Sequence, residues 1–318
     1  MKITSGTSSI GLVGAGLLFA VLWASASAAT KIGLESAQPF MIAIARFGVA
    51  AVVMLLLAHL VLRKRLPAGK EWQQLSIYGL LNITIYLGLY VIAMQYVSAG
   101  LATLAIAVNP VFISLIAAVW FKQPVDRITF VSLALCMAGI LVAAYPLLLD
   151  SYATPGGLAL LLTSMLSYSA GALYFSQKKW NDLHILTING WQTLLGGIFL
   201  LPFVIIFYEP DRNLYDGKWL GSVLWLALAV SITAVQLWLF LLKDNPVKAA
   251  FWLFLCPVFG FVIAALLMHE PVDGYTFVGV VFVIVGLYLV QRKQQISSTI
   301  HGIRKKAGKK NIGKREER

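Results

Sequence analysis

The sequence predicts an all-α integral membrane protein with ten transmembrane helices, arranged as two inverted five-helix repeats. Three observations predict it. The 318-residue chain is 59% hydrophobic and 12% charged, with a mean hydropathy of +0.83. Soluble domains carry about 45–50% apolar and about 25% charged residues, so no water-soluble fold hides this much apolar surface. The apolar residues also fall into ten runs, separated by short gaps rich in Pro, Gly, Asp and Lys. Finally, a 34-residue stretch from Pro110 recurs from Pro257 with 13 identities, including a whole Pro-Val-Asp and a Thr-Phe-Val.

A spanning helix needs ~20 mostly apolar residues, and the runs supply them in order. The first, 10–29, ends in "ASASAAT", which also fits a signal-peptide cleavage site. Similar patterning recurs mid-chain in "MLSYSAGALY" (Met165–Tyr174), where nothing is cleaved, so the run is read as a span. The second, 39–61, is closed by the gap "LPAGKEWQQ"; the third and fourth are 76–95 and 99–121. The turn "KQPVDR" leads into the fifth, 129–149, which completes the first repeat, 1–150. The second repeat, 151–291, holds 155–175, 185–207, 220–242, 247–268 and 275–291, with "YEPDRNLYDGKW" after its second span and "HEPVDG" before its last. Residues 292–318 form a polar, basic tail, either drawn to anionic lipid headgroups or simply solvated.

Charge sets the orientation, because Lys and Arg concentrate in cytoplasmic loops. With the N-terminus inside, 21 of the 25 Lys and Arg fall on the cytoplasmic side. Lys31, Arg212 and Lys218 fall outside, and Arg46 lies within a span. Both termini are therefore expected in the cytoplasm, in a bacterial inner membrane. Five spans per repeat is an odd number, so the second copy enters the membrane from the opposite side. The first turn keeps Lys122 and Arg127 in the cytoplasm, and its external copy has His269 and Gly274 instead. Such inverted repeats are a common architecture of secondary transporters.

Several classes are excluded. The net charge of +12 is no nucleic-acid footprint, since ten of the cations lie beyond Gln291 and most others in gaps between spans. Cys136 and Cys256 both sit in apolar runs, which builds neither a disulfide framework nor a metal site. There is no HExxH, Walker A, CxxC or nucleophile elbow, so catalysis and ATP-driven transport lack their residues, and no cofactor is expected. No Asp or Glu lies mid-span, and His59 and His269 are near span ends. A relay of buried carboxylates is thus not expected.

The chain resembles the drug/metabolite transporter superfamily, in particular its ten-helix EamA-type transporters. The resemblance rests on "LLFAVLWASASAATK" in the first span, "IARF" in the second and "YVSAGLATLAIAVNPVF" at spans three to four. It rests also on the ending "PVKAAFWLFLCPVFGFVIAALLMHEPVDGYTFVGVVFVIVGLYLV" and on the repeat itself. It covers about residues 10–291. Gln123 stands where the family's first repeat often carries an acid matching Glu270. The resemblance implies a membrane transporter, with the first four helices of each half around a central cavity and spans five and ten at the periphery. Many members export amino acids, metabolites or toxic organic compounds. An exporter of amino acids or related small metabolites is thus the expected function. A drug or nucleotide-sugar transporter and a non-transporting scaffold are the alternatives, and oligomeric state is left open.

Within the spans, Arg46 is the one Lys, Arg, Asp or Glu at depth, seven residues beyond Pro39, or roughly 10 Å along a helix. An ionisable group there usually faces the bundle interior or a wet cavity. Arg46 reads as a clamp for a carboxylate or phosphate, whose shape its fork matches; a tie to neighbouring backbone carbonyls is the alternative. Trp23 and Tyr168 hold matching places in the first helix of each half, and Trp191 aligns with Arg46. With Asn82, Tyr86 and Asn109 they suit an aromatic, hydrogen-bonding cavity for an amphiphilic molecule such as an amino acid. Ordinary packing and interfacial belts are the alternative. Tyr90 and Trp252 are weaker members. Pro110 and Pro257, mid-span at equivalent positions, each free a backbone carbonyl and read as bending points or fixed kinks.

Overall fold

The computed structural model describes residues 9–120, 127–150, 152–244, 252–253, 255–289 and 292. The "KQPVD" of the first turn, with Lys122 and Gln123, Lys248 and the tail beyond Arg292 lie outside the described residues. Among those described, the chain is helical throughout, with no strand. Seven helices are long and apolar enough to cross a membrane. They are α1 (Ser9–Leu34), α2 (Pro39–Val61), α3 (Lys70–Ala93), α6 (Arg127–Leu149), α7 (Pro155–Gln177), α8 (Ile185–Ile206) and α9 (Gly217–Trp238). The pair α4 (Ala99–Ile106) and α5 (Asn109–Trp120), bent by 41°, makes an eighth span. The shorter apolar helices α10 (Leu255–Met268) and α11 (Gly274–Leu289) complete ten.

Local chemistry explains most boundaries. Pro39 and Pro155 open α2 and α7, where a fixed φ helps and a missing N–H costs nothing. Ser98, Thr154 and Asp216 cap α4, α7 and α9 through backbone N–H groups of Leu101, Gly157 and Trp219. The Trp219 hydrogen bond holds the Asp216 carboxyl below the usual carboxylate range. The fourth span is expected as one helix over 99–121 but breaks at Ala107–Val108. Pro110 has no N–H for the carbonyl of Ile106, so the ladder cannot run through. Three stretches wind as π-helix: Leu57–Val61 ending α2, Leu80–Ile85 in α3 and Trp225–Ala234 in α9. The last two lie in the third helix of each half.

Hydrogen bonds show which connections share an end of the bundle. At one end, Thr154 N donates to Tyr96 O at 2.9 Å and Leu214 N to Ser36 O at 2.8 Å. There Glu270 accepts from Ala99 N at 2.6 Å and Gly100 N at 3.1 Å, with Lys31 Nζ 4.0 Å away. At the other end, Arg65 grips Glu71 with two 2.7 Å bonds and Asn181 O at 2.6 Å. Thus α1 finishes at the end where α7 begins, and the first helices of the two halves run in opposite directions. In the middle, α2 and α3 pack against α8. A Cβ on Gly79 would lie 2.5 Å from Gln192 O, so only glycine permits that approach. To one side α6 lies on α11, where Gly139 and Gly279 meet backbone to backbone. Side chains such as Leu141, Ile205, Leu266 and Phe277 point outward and exposed, as a bilayer-facing surface requires.

Candidate functional site

A cavity of about 270 Å³ lies in the middle of the bundle, walled by α1, α2, α3, the end of α4, α7, α8 and α9. No described residue of α6 or α11 lines it, which fits the peripheral place expected for spans five and ten. Arg46 stands in its wall and is 7% exposed. Its Nε donates to Ser231 Oγ at 3.0 Å, and its guanidinium carbon lies 5.9 Å from the Phe47 ring centroid. Among the described residues no carboxylate pairs with Arg46, and its two terminal nitrogens take no hydrogen bond. A buried cation without a counter-ion is costly unless something else supplies the anion.

Aromatic groups surround it. The Tyr86 ring lies 5.0 Å from Tyr168 and 6.1 Å from Tyr90, with Trp23 and Trp238 in the same wall. Amides line another side: Asn82 Nδ2 donates to Gln192 Oε1 at 3.3 Å, and Gln192 Nε2 to Asn189 Oδ1 at 3.4 Å. Lining residues run from Trp23 and Arg46 to Phe175 and Ile185, so the cavity reaches the end that carries the 178–184 connection. Toward the opposite end it is closed twice. Tyr90 OH shares a 2.8 Å hydrogen bond with Ser27 Oγ, which also accepts from Thr103 Oγ1 at 2.9 Å. Farther out, the Gln38 side chain binds Asn213, Glu209 N and Phe207 O.

The structure thus brings together Trp23, Arg46, Asn82, Tyr86 and Tyr168, and with them Tyr90. Asn109 and Pro110 instead line an adjoining recess of about 110 Å³, which shares Trp23, Ile106, Tyr168 and Trp238 with the main cavity. Trp191 lies elsewhere. Its Nε1 donates to His59 Nε2 at 3.1 Å, and its ring sits edge-on to Trp72 at 4.8 Å. Its neighbours Asn189, Gln192 and Thr193 line the cavity, so rotation about the α8 axis, not depth, takes Trp191 away from Arg46. Pro257 is buried in α10 and lines neither space. Trp252 packs on α1, where a Cβ on Gly16 would overlap it. Sequence reasoning missed Ser231, Gln192 and Trp238. The signal for the first two was a polar side chain deep in an apolar run. Asn82 and Ser231 both sit on π-helical stretches, a winding frequent at functional sites.

The EamA-like transporter family model matches the chain twice, over residues 10–145 and 155–292. An uncharacterized transporter of Archaeoglobus fulgidus is 26% identical over 277 residues, covering 86% of this chain and 95% of its own. Protein PecM of Dickeya dadantii is 27% identical over 274 residues (85% and 89%). The uncharacterized inner membrane transporter YedA of Escherichia coli K12 is 28% identical over 298 residues (90% and 95%). One solved crystal structure aligns with a TM-score of 0.57 at 16% identity, over 89% of this chain and 98% of that one, a likeness of fold.

Proposed function

Because the chain belongs to the EamA-like transporter family, multi-pass membrane transporters and not enzymes, we propose that it exports amino acids or related small organic metabolites by alternating access. One observation carries the reading: Arg46 is buried in an aromatic cavity with no carboxylate partner among the described residues. A carboxylate on the substrate meets that need, held by the two free terminal nitrogens, while Trp23, Tyr86 and Tyr168 take its apolar body and Asn82 a polar edge. A space of about 270 Å³ suits a molecule of one or two rings.

The sidedness is that of a cytoplasm-facing form, the one from which an exporter loads. The end toward which the cavity reaches carries Arg63, Lys64, Arg65, Lys178 and Lys179 in its connections, and the closed end Lys31, Arg212 and Lys218. The positive-inside rule makes the first end cytoplasmic, so this is the form that loads from inside. The two family matches support halves at 1–150 and 151–291.

The test is ligand-induced thermal stabilisation of the purified protein, measured across a panel of amino acids and aromatic acids. A ligand that stabilises the wild type should do so far less in Arg46→Ala, with Arg46→Lys intermediate, since a point charge replaces a planar fork. Losing a charge-assisted hydrogen bond weakens binding by ~1.5–3 kcal/mol, or roughly ten- to a hundredfold. A folded Arg46→Ala protein with an undiminished shift would remove this residue from the site.

A further inference from the structure

The recess beside the main cavity holds an unanswered polar atom. Asn109 is 5% exposed at the start of α5, and its Oδ1 is buried with no hydrogen-bond partner. Its backbone carbonyl is already engaged, accepting from Ser169 Oγ at 3.4 Å. Asn109 lines the recess, whose described walls are otherwise mostly rings and aliphatic groups such as Phe19, Trp23, Ile113, Tyr168, Trp238 and Leu253, with Cys256 beside them. A buried acceptor left unpaired is destabilising, and most such atoms in folded proteins find a partner. Here the missing partner must donate, and it must arrive among aromatic faces.

Size narrows the choice. A closed cavity of ~150 Å³ takes benzene whole, so a recess of about 110 Å³ that opens into the main cavity takes most of one flat ring. We propose that the recess is a specificity subsite for a single ring carrying one O–H or N–H donor, a phenol or an indole, which donates to Asn109 Oδ1. This rests on the reading of Arg46 as the carboxylate anchor. Because Trp23, Ile106, Tyr168 and Trp238 line both spaces, one molecule spans them, acid toward Arg46 and ring edge toward Asn109. The substrate class is then a small aromatic acid with a donor at the far edge of its ring.

Three acids of one skeleton test this by isothermal titration of the purified full chain: 3-phenylpropionate, 3-(4-hydroxyphenyl)propionate and its 4-methoxy analogue. The hydroxylated acid should bind about tenfold more tightly than the unsubstituted one, which is ~1.4 kcal/mol and within the range for one hydrogen bond to a buried group. The methoxy acid, which can only accept, should lose that advantage. In Asn109→Leu the plain and hydroxylated acids should bind alike, and a cooperative thermal melt without ligand shows the variant to be folded. Arg46→Ala should weaken the plain and hydroxylated acids alike. Equal binding of these two acids by the wild type, a methoxy acid as tight as the hydroxylated one, or a preference that survives Asn109→Leu overturns the subsite and leaves the Arg46 anchor standing. Binding of none of the three overturns the anchor, and the subsite falls with it.

Discussion

Asn213→Ala should open the cavity toward its closed end. The Gln38–Asn213 pair joins the α1–α2 connection to the α8–α9 connection by two bonds, Gln38 N to Asn213 Oδ1 at 2.9 Å and Asn213 Nδ2 to Gln38 Oε1 at 3.0 Å. Both residues are 8% exposed, so water replaces these bonds only once the two connections separate. Each bond is worth ~0.5–1.5 kcal/mol net. Removing both shifts the equilibrium by ~1–3 kcal/mol, or roughly five- to 150-fold toward the open form. A cysteine at Ala26, in the cavity wall, reports the change through its labelling by a membrane-impermeant maleimide added outside intact cells. Cys136 and Cys256 are buried at 0% and 2% exposure and contribute little background. Labelling should accelerate within that range. If Asn213→Ala lowers thermal stability by the same energy while labelling stays unchanged, the pair braces both conformations and is no gate.

Three further outcomes follow from the same geometry. A tag at Asp150 or Asp211 should be reachable from outside the cell and one at Lys64 or Lys179 should not; the reverse pattern would invert the assigned orientation. Glu270→Gln keeps one acceptor for α4 and loses one charge-assisted bond, so melting should fall by ~1.5–3 kcal/mol of stability while transport per folded molecule is retained. Abolished transport at normal membrane levels would place Glu270 in the transport cycle. Gly279→Val puts a Cβ 2.5 Å from Gly139 O and must part α6 from α11. The stability cost should be at least the ~1–3 kcal/mol of an overpacked core, with ligand affinity of the folded fraction unchanged, because neither helix lines the cavity.

The features readable from sequence are those whose chemistry is costly to violate in a membrane. Ten apolar runs had to be spans because lipid leaves backbone polar groups no other partner. Arg46 was legible as a cavity-facing residue because a cation at that depth needs a reason, and Pro110 as a break because its ring cannot join the ladder. The residues misjudged depend on rotation about a helix axis, which apolar sequence barely records. Trp23 and Tyr168 line the cavity, both lying on helices that cross the centre. Trp191 does not, although its neighbours Asn189 and Gln192 do, because rotation about the α8 axis turns it toward His59 instead. Ser231 escaped notice for a subtler reason. A π-helical turn closes i→i+5 bonds instead of i→i+4, so each stretch at Leu80–Ile85 and Trp225–Ala234 shifts the phase of the residues beyond it. A face predicted with period 3.6 therefore loses its register midway along α3 and α9. Those are equivalent helices of the two halves, and Asn82 and Ser231 sit within the shifted turns. The winding that hides Ser231 from periodicity is the same one that sets it in the cavity wall, 3.0 Å from the Nε of Arg46.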